Sequence, residues 1–161
     1  MNDDKLQARE RALTLLKTQR WAALATLDRH GLPEGAMVAY AMASTDEGHG
    51  LYLHLSQLAS HTRNLLQNPH VALIIGEADT GNGDPQQLAR LSLQGEVRVI
   101  SPEDPPYTQA KGCYLARFPN AEQRFDFGDF RLFRFDWQRA RWIGGFGQAY
   151  SYCPADLWVD P

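Results

Sequence analysis

Between Lys5 and Gln19 the apolar residues Leu6, Ala8, Ala12, Leu13, Leu15 and Leu16 recur near helical spacing, while Arg9, Glu10, Arg11 and Lys17 fill the other face. That spacing predicts an opening amphipathic helix. From Arg20 the pattern changes to WAALATLD, the turn cluster Arg29-His30-Gly31-Leu32-Pro33, and then EGAMVAYAMAS up to Ser44, which reads as two strands around a hairpin. A third strand, Leu51 to Leu55, follows the loop Thr45 to Gly50. Ser56 to Gln67 reads as a short helix stopped by Asn68-Pro69, because the residue before proline is pushed out of the helical region.

Val71 to Ile75 is an almost wholly apolar strand, and Leu88 to Ile100 alternates well enough to be another. The run Ser101-Pro102-Glu103-Asp104 offers a cap, a first-turn proline and two early acids for a helix reaching about Arg117, which Pro105 and Pro106 delay. Phe125 to Phe135 and Trp137 to Ile143 are aromatic-rich strand candidates, and Gly144-Gly145-Phe146-Gly147 breaks the pattern. Six or seven strands with few helices and no regular β-α-β alternation predict a mainly β (α+β) chain, an antiparallel barrel with peripheral helices. The expected organisation is a single domain over 1–161, with an N-terminal helix within 1–19 and a tail over 144–161.

Composition adds exclusions. The chain has 161 residues, 43% of them hydrophobic and 22% charged, which suits one compact core. A formal charge of -3, with no Lys/Arg run, disfavours a phosphate-tracking nucleic-acid binder. No uncharged stretch, Gly35 to Thr45 included, is long enough for a membrane span, and the charged opening MNDDKLQARERA is unlike a secretory signal, so a cytoplasmic location is expected. Cys113 and Cys153 are isolated and cannot form a thiolate metal site by themselves. No zinc-protease histidine pair or nucleophile elbow is present, and Asp79 to Asp84 lacks the distal glutamate of a calcium loop. No metal ligand and no catalytic residue is assigned.

The segment Leu55 to Asn64 concentrates hydroxyls, a histidine, an arginine and an asparagine at a strand end and the first turns of a helix. A phosphate dianion is held by helix N-terminal amides, hydroxyl donors and a guanidinium, and this stretch carries all three; the alternative is plain serine capping. Gly144 to Gly147 follows a strand with no helix after it, which does not match a dinucleotide fingerprint.

The order ALATLDRHGLPEGAMVAYA, LYLHLSQLASHTRNLLQNPHVALII, RLSLQGEVRVI and RFPNAEQRFDFGDFRLFRFDWQRARWIGGFGQA resembles the FMN-binding split barrel of the pyridoxamine-5′-phosphate-oxidase-like superfamily. Within it the sequence is most similar to the haem-utilisation (HugZ/HutZ-type) branch, over about Arg20 to Ala149. That resemblance implies a homodimer of six-stranded split barrels with two sites at the subunit interface. Ser56, Ser60, His61, Thr62, Arg63 and Asn64 would hold the FMN phosphate. Val38, Ala39 and Tyr40 would lie along the ribityl chain and ring, and the second chain would add Trp142, Gly145, Phe146 and Gln148 near the isoalloxazine.

The pyridoxamine-phosphate clamp is missing, since Arg139-Ala140-Arg141-Trp142 carries no histidine, and vitamin B6 oxidation is not implied. The haem degraders ligate iron through a C-terminal histidine, whereas the last histidine here is His70, leaving Tyr150, Tyr152, Cys153 and His61 as substitutes. The leading expectation is a flavin-dependent oxidoreductase of unidentified small-molecule substrate. The alternatives are a haem-binding or haem-degrading protein and a non-enzymatic dimer with a vestigial pocket.

Overall fold

The computed structural model describes residues 2–43 and 48–158. The end of the second expected strand at Ser44 and the first half of the following loop, 45–47, lie outside the described residues. The opening helix α1 spans Asp3–Thr18, with the Asn2 side chain accepting from the Lys5 amide. Its buried stripe is Ala8, Ala12, Leu15 and Leu16. Its last carbonyls lack intrahelical partners and are taken up from outside: Arg117 Nη2 donates to Lys17 O (3.0 Å) and Gln19 O (2.9 Å), and Tyr40 Oη to Leu16 O (2.8 Å).

Strands β1 (Trp21–Leu27), β2 (Pro33–Ala39), β3 (Ala41–Met42), β4 (Gly50–Ser56), β5 (His70–Gly76), β6 (Arg90–Ile100), β7 (Phe130–Ile143) and β8 (Ala149–Tyr152) form one antiparallel sheet. Helices α2 (Ser60–Gln67), α3 (Tyr107–Arg117) and α4 (Pro154–Leu157) pack around it, with 3-10 segments at Pro85–Gln87 and Pro119–Asp126. The hydrogen-bonded order is β2-β1-β5-β6-β7-β4-β3, with β8 on the far half of β7. Only Tyr40 separates β2 from β3, so one run of chain pairs with β1 at one edge and with β4 at the other. The sheet therefore curls into a split barrel.

The antiparallel α+β barrel agrees with the expectation. The strand count is eight, because β3 and β8 are short segments that alternation does not reveal. The supposed tail from 144 supplies β8, which pairs Tyr150 with Trp142. Two expected strands, Phe125 to Phe135 and Trp137 to Ile143, are instead one: β7 begins at Phe130, and Phe125 lies in the 3-10 segment. The helix expected from Ser101 starts at Tyr107, the two prolines being the cause, and the helix expected from Ser56 starts at Ser60.

A β-bulge explains the parity of β7. Gln94 pairs with Arg139 and Gly95 with Trp137, leaving Gln138 unopposed. The extra residue lets Trp137, Ala140 and Trp142 all point inward while Gln138, Arg139 and Arg141 point out. Gly95 is required there, since a β-carbon would lie 2.2 Å from Asp136 O and 2.5 Å from Trp137 Cα. The barrel interior is filled by Leu24, Leu53, Leu73, Leu93, Phe133 and Phe135, among others.

A second cluster lies outside β4 under α3, around Tyr52, Tyr114, Ile100 and Leu132. Here His54 is 7% exposed and stacks on Phe125 at a centroid distance of 3.8 Å. Its Nδ1 has no hydrogen-bond partner, and it borders a cavity of about 250 Å³. No helix among the described residues is long and apolar enough to cross a membrane.

Candidate functional site

The hairpin register sets the first half of the site. An Asp28 carboxylate accepting from His30 N (2.8 Å) and Leu32 N (2.9 Å) fixes the turn, which places Glu34 directly across from Thr26. Glu34 then meets the first turn of α2. Ser60 Oγ donates to Glu34 Oε1, and Asn64 Nδ2 donates to Glu34 Oε2 (3.1 Å) and to Thr26 Oγ1 (3.1 Å). Ser60 and Asn64 are one turn apart and so share this face of the helix.

The other expected phosphate donors are also engaged. Ser56 Oγ donates to Asp129 Oδ2 (2.5 Å), and Arg63 Nη1 folds back onto Leu58 O (3.0 Å). His61 is half-buried, and that burial holds its imidazole below the ordinary value, with the Glu34 carboxylate pulling the other way. Thr62 is fully buried with no partner for Oγ1. A carboxylate thus sits against the donors that a phosphate would use, and at about 4 Å two like charges repel by roughly 4 kcal/mol per unit charge in a partly buried setting.

Val38 and Tyr40 turn their side chains into the barrel, 3% and 1% exposed, so only their backbone and Ala39 are open to a ligand. The second expected group lies elsewhere. Trp142 is buried under the Arg11 guanidinium, 5.5 Å from the ring, with no partner for Nε1. Gln148 Oε1 accepts from Arg11 Nη1 (3.1 Å) and Gly144 N donates to Gln148 O (2.9 Å), closing a turn whose Gly145 takes φ +120°. Phe146 projects from it, 72% exposed.

These two groups do not meet within one chain. Ser56 pairs with Phe130 at the start of β7, and Trp142 stands twelve positions further along the same strand, roughly 40 Å of extended chain.

The outer sheet face between them carries features that sequence reasoning missed. Its rows are read from the registers: Met37, Ala23, Ile74, Ser92, Arg141 and Ser151 form one, and Ala25, Ala72, Gln94 and Arg139 the next. Trp21, Met37 and Ile74 make an exposed apolar patch, 55%, 49% and 47% exposed. Beside it lie two adjoining hollows of about 500 and 520 Å³ that share Gln94, Gln138 and Arg139, forming one open trough. Glu34 could have been found by setting the hairpin register; the trough depends on the bulge, for which only Gly95 gave a signal.

The family model described as CREG, beta-barrel matches residues 3–160. The non-canonical haem oxygenase HOZ, chloroplastic, from Arabidopsis thaliana is 31% identical over 150 residues, 91% of this chain and 43% of the relative. The haem oxygenase HutZ from Vibrio cholerae is 29% identical over 135 residues, 83% of this chain and 74% of the relative. Among solved structures, a haem-binding protein from Mycobacterium smegmatis superposes with a TM-score of 0.81 at 29% identity, covering 93% of this chain and 59% of that one. The fold extends to a protein of the pyridoxinephosphate oxidase family from Clostridium acetobutylicum, with a TM-score of 0.67 at 13% identity over 98% and 100% of the two chains. This chain spans less than half the length of the Arabidopsis relative.

Proposed function

Because this chain belongs to the CREG β-barrel family, we propose that it is a haem-binding protein acting as a homodimer, in preference to an FMN-carrying oxidoreductase. The observation that carries this reading is the Glu34 carboxylate on Ser60 and Asn64. The residues at the start of α2 have the composition of a phosphate cradle, but two of its donors, Ser60 and Asn64, are turned onto the Glu34 carboxylate, which would repel a phosphate dianion. The relatives named for haem agree with this choice. Bound haem would supply the iron chemistry, and the chain would supply the walls and anchoring groups.

The dimer is supported by the patch of Trp21, Met37 and Ile74, large apolar side chains gathered on one sheet face. A two-fold pairing through that face would be isologous and would cover the patch of each chain with that of the other. The flavin reading remains the second one, on the donor-rich composition of Ser56 to Asn64 alone.

Titration of the purified chain with hemin, FMN and riboflavin tests the choice. Hemin should bind at one per chain with a defined Soret band, and FMN no more tightly than riboflavin. An FMN affinity tenfold or more above that for riboflavin, without stoichiometric hemin binding, would return the flavin to first place.

A further inference from the structure

Resting on the haem reading, we propose that the trough on the outer sheet face is the haem site, with His70 Nε2 as the iron ligand and Arg139 and Arg141 anchoring the propionates. His70 is the first residue of β5 and faces outward at one end of the trough. Its cross-strand neighbour is Glu96, and Nδ1 stands 3.5 Å from Glu96 Oε1. The Glu96 carboxylate thus lies on the Nδ1 side of the ring, the side from which carboxylates support metal-bound imidazoles, and Nε2 is on the side away from it.

The walls change character along the trough. Around His70 the outward side chains are Ala25, Leu27, Pro33 and Ala72, an apolar bed for a macrocycle, while Thr26 and Val71 in the same wall are turned inward. At the other end the bulge at Gln138 turns Arg139 and Arg141 outward, and neither is in an ion pair with a described residue. Arg139 pairs with Gln94, which pairs with Ala72, so His70 and Arg139 are two strands and two residues apart, about 12 Å between backbones. That span resembles the reach from the centre of a porphyrin to its carboxylates. Imidazole, apolar floor and two guanidiniums in sequence match an amphipathic iron macrocycle bearing two acids.

The experiment is hemin titration of the full chain followed in the Soret region. The wild-type complex should have an imidazole-ligated spectrum. His70→Ala should weaken hemin at least tenfold and shift the band, with the wild-type spectrum restored by free imidazole. Arg139→Ala combined with Arg141→Ala should weaken binding about tenfold without moving the band. His30→Ala, in the exposed hairpin turn, should change neither. His70 is exposed, 68% by side chain, so its removal leaves the fold intact, as circular dichroism would verify. If His70→Ala binds hemin with unchanged affinity and spectrum, or if His61→Ala takes away the imidazole signature instead, the trough is not the site although the haem reading survives. Failure of wild-type protein to bind hemin overturns both.

Discussion

Lowering the pH should destabilise the fold through His54, by an amount the structure allows to be worked out. Its imidazole is enclosed by Phe125, Tyr114 and Phe130, and burial, followed by the cations Arg124 and Lys111, pushes it from 6.5 down to about 4. The folded value lies below the unfolded one, so the unfolded chain binds the proton more tightly. The contribution is fully present above about pH 6.5, is lost as the pH falls towards 4, and changes no further below that. Between pH 7.5 and 5 the full shift corresponds to about 2 kcal/mol, and water entering the adjacent cavity screens part of it, leaving about 1–2 kcal/mol. Urea unfolding at the two pH values, in wild type and His54→Phe, isolates the effect: the variant should lose that much less stability on acidification. Should the larger phenyl ring of that variant overpack the cluster, the His54 ring proton resonances of the wild type give the same answer, and they should not titrate above pH 5. Equal pH dependence in both proteins, or a His54 titration near 6.5, would refute the reasoning.

Gly95→Ala should cost at least about 2–3 kcal/mol, because the clash is with backbone rather than with a movable side chain, and thermal unfolding by circular dichroism would register it. If the proposed dimer forms through this face, wild type should have a dimer mass in light scattering at micromolar concentration and Met37→Asp a monomer mass, with the circular dichroism spectrum unchanged. Glu34→Gln should remove the repulsion at the start of α2, so that FMN binds at least tenfold more tightly than riboflavin in a fluorescence titration.

Local pattern revealed the elements wherever one periodicity held throughout. The stripe Ala8, Ala12, Leu15 and Leu16 identified α1, and Asn68-Pro69 ended α2 where expected. Reading failed where a distant residue decided the outcome. Pattern alone divides the aromatic run from Phe130 to Ile143 at Asp136, whereas the strand continues through it and changes phase at Gln138, beside Trp137, which lies opposite Gly95 on β6. Ser60 and Asn64 carry the composition of an anion site, but whether they face an external anion depends on Glu34, thirty residues from Asn64 and brought there by a hairpin. The phosphate donors were thus legible as donors, and their present partner was not. His70 offered no signal alone; its meaning comes from Glu96 across the ladder and Arg139 two strands away.

The seam at Tyr40 bears on how the barrel breathes. On one side of that residue the chain is held to β1 by a ladder of seven registered pairs; on the other, among the described residues, it is held to β4 by two, Ala41 with Tyr52 and Met42 with Leu51, and by Ala43 N donating to Gly50 O (2.9 Å). Opening the short side releases few contacts, whereas opening the long side unravels the hairpin and the face proposed for dimerisation. Low-energy fluctuations should therefore gather at β3, with Tyr40 as the pivot, because its hydroxyl anchors it to α1. The barrel would open there like a cuff at its button, and the trough on the far strands would keep its shape while it did so.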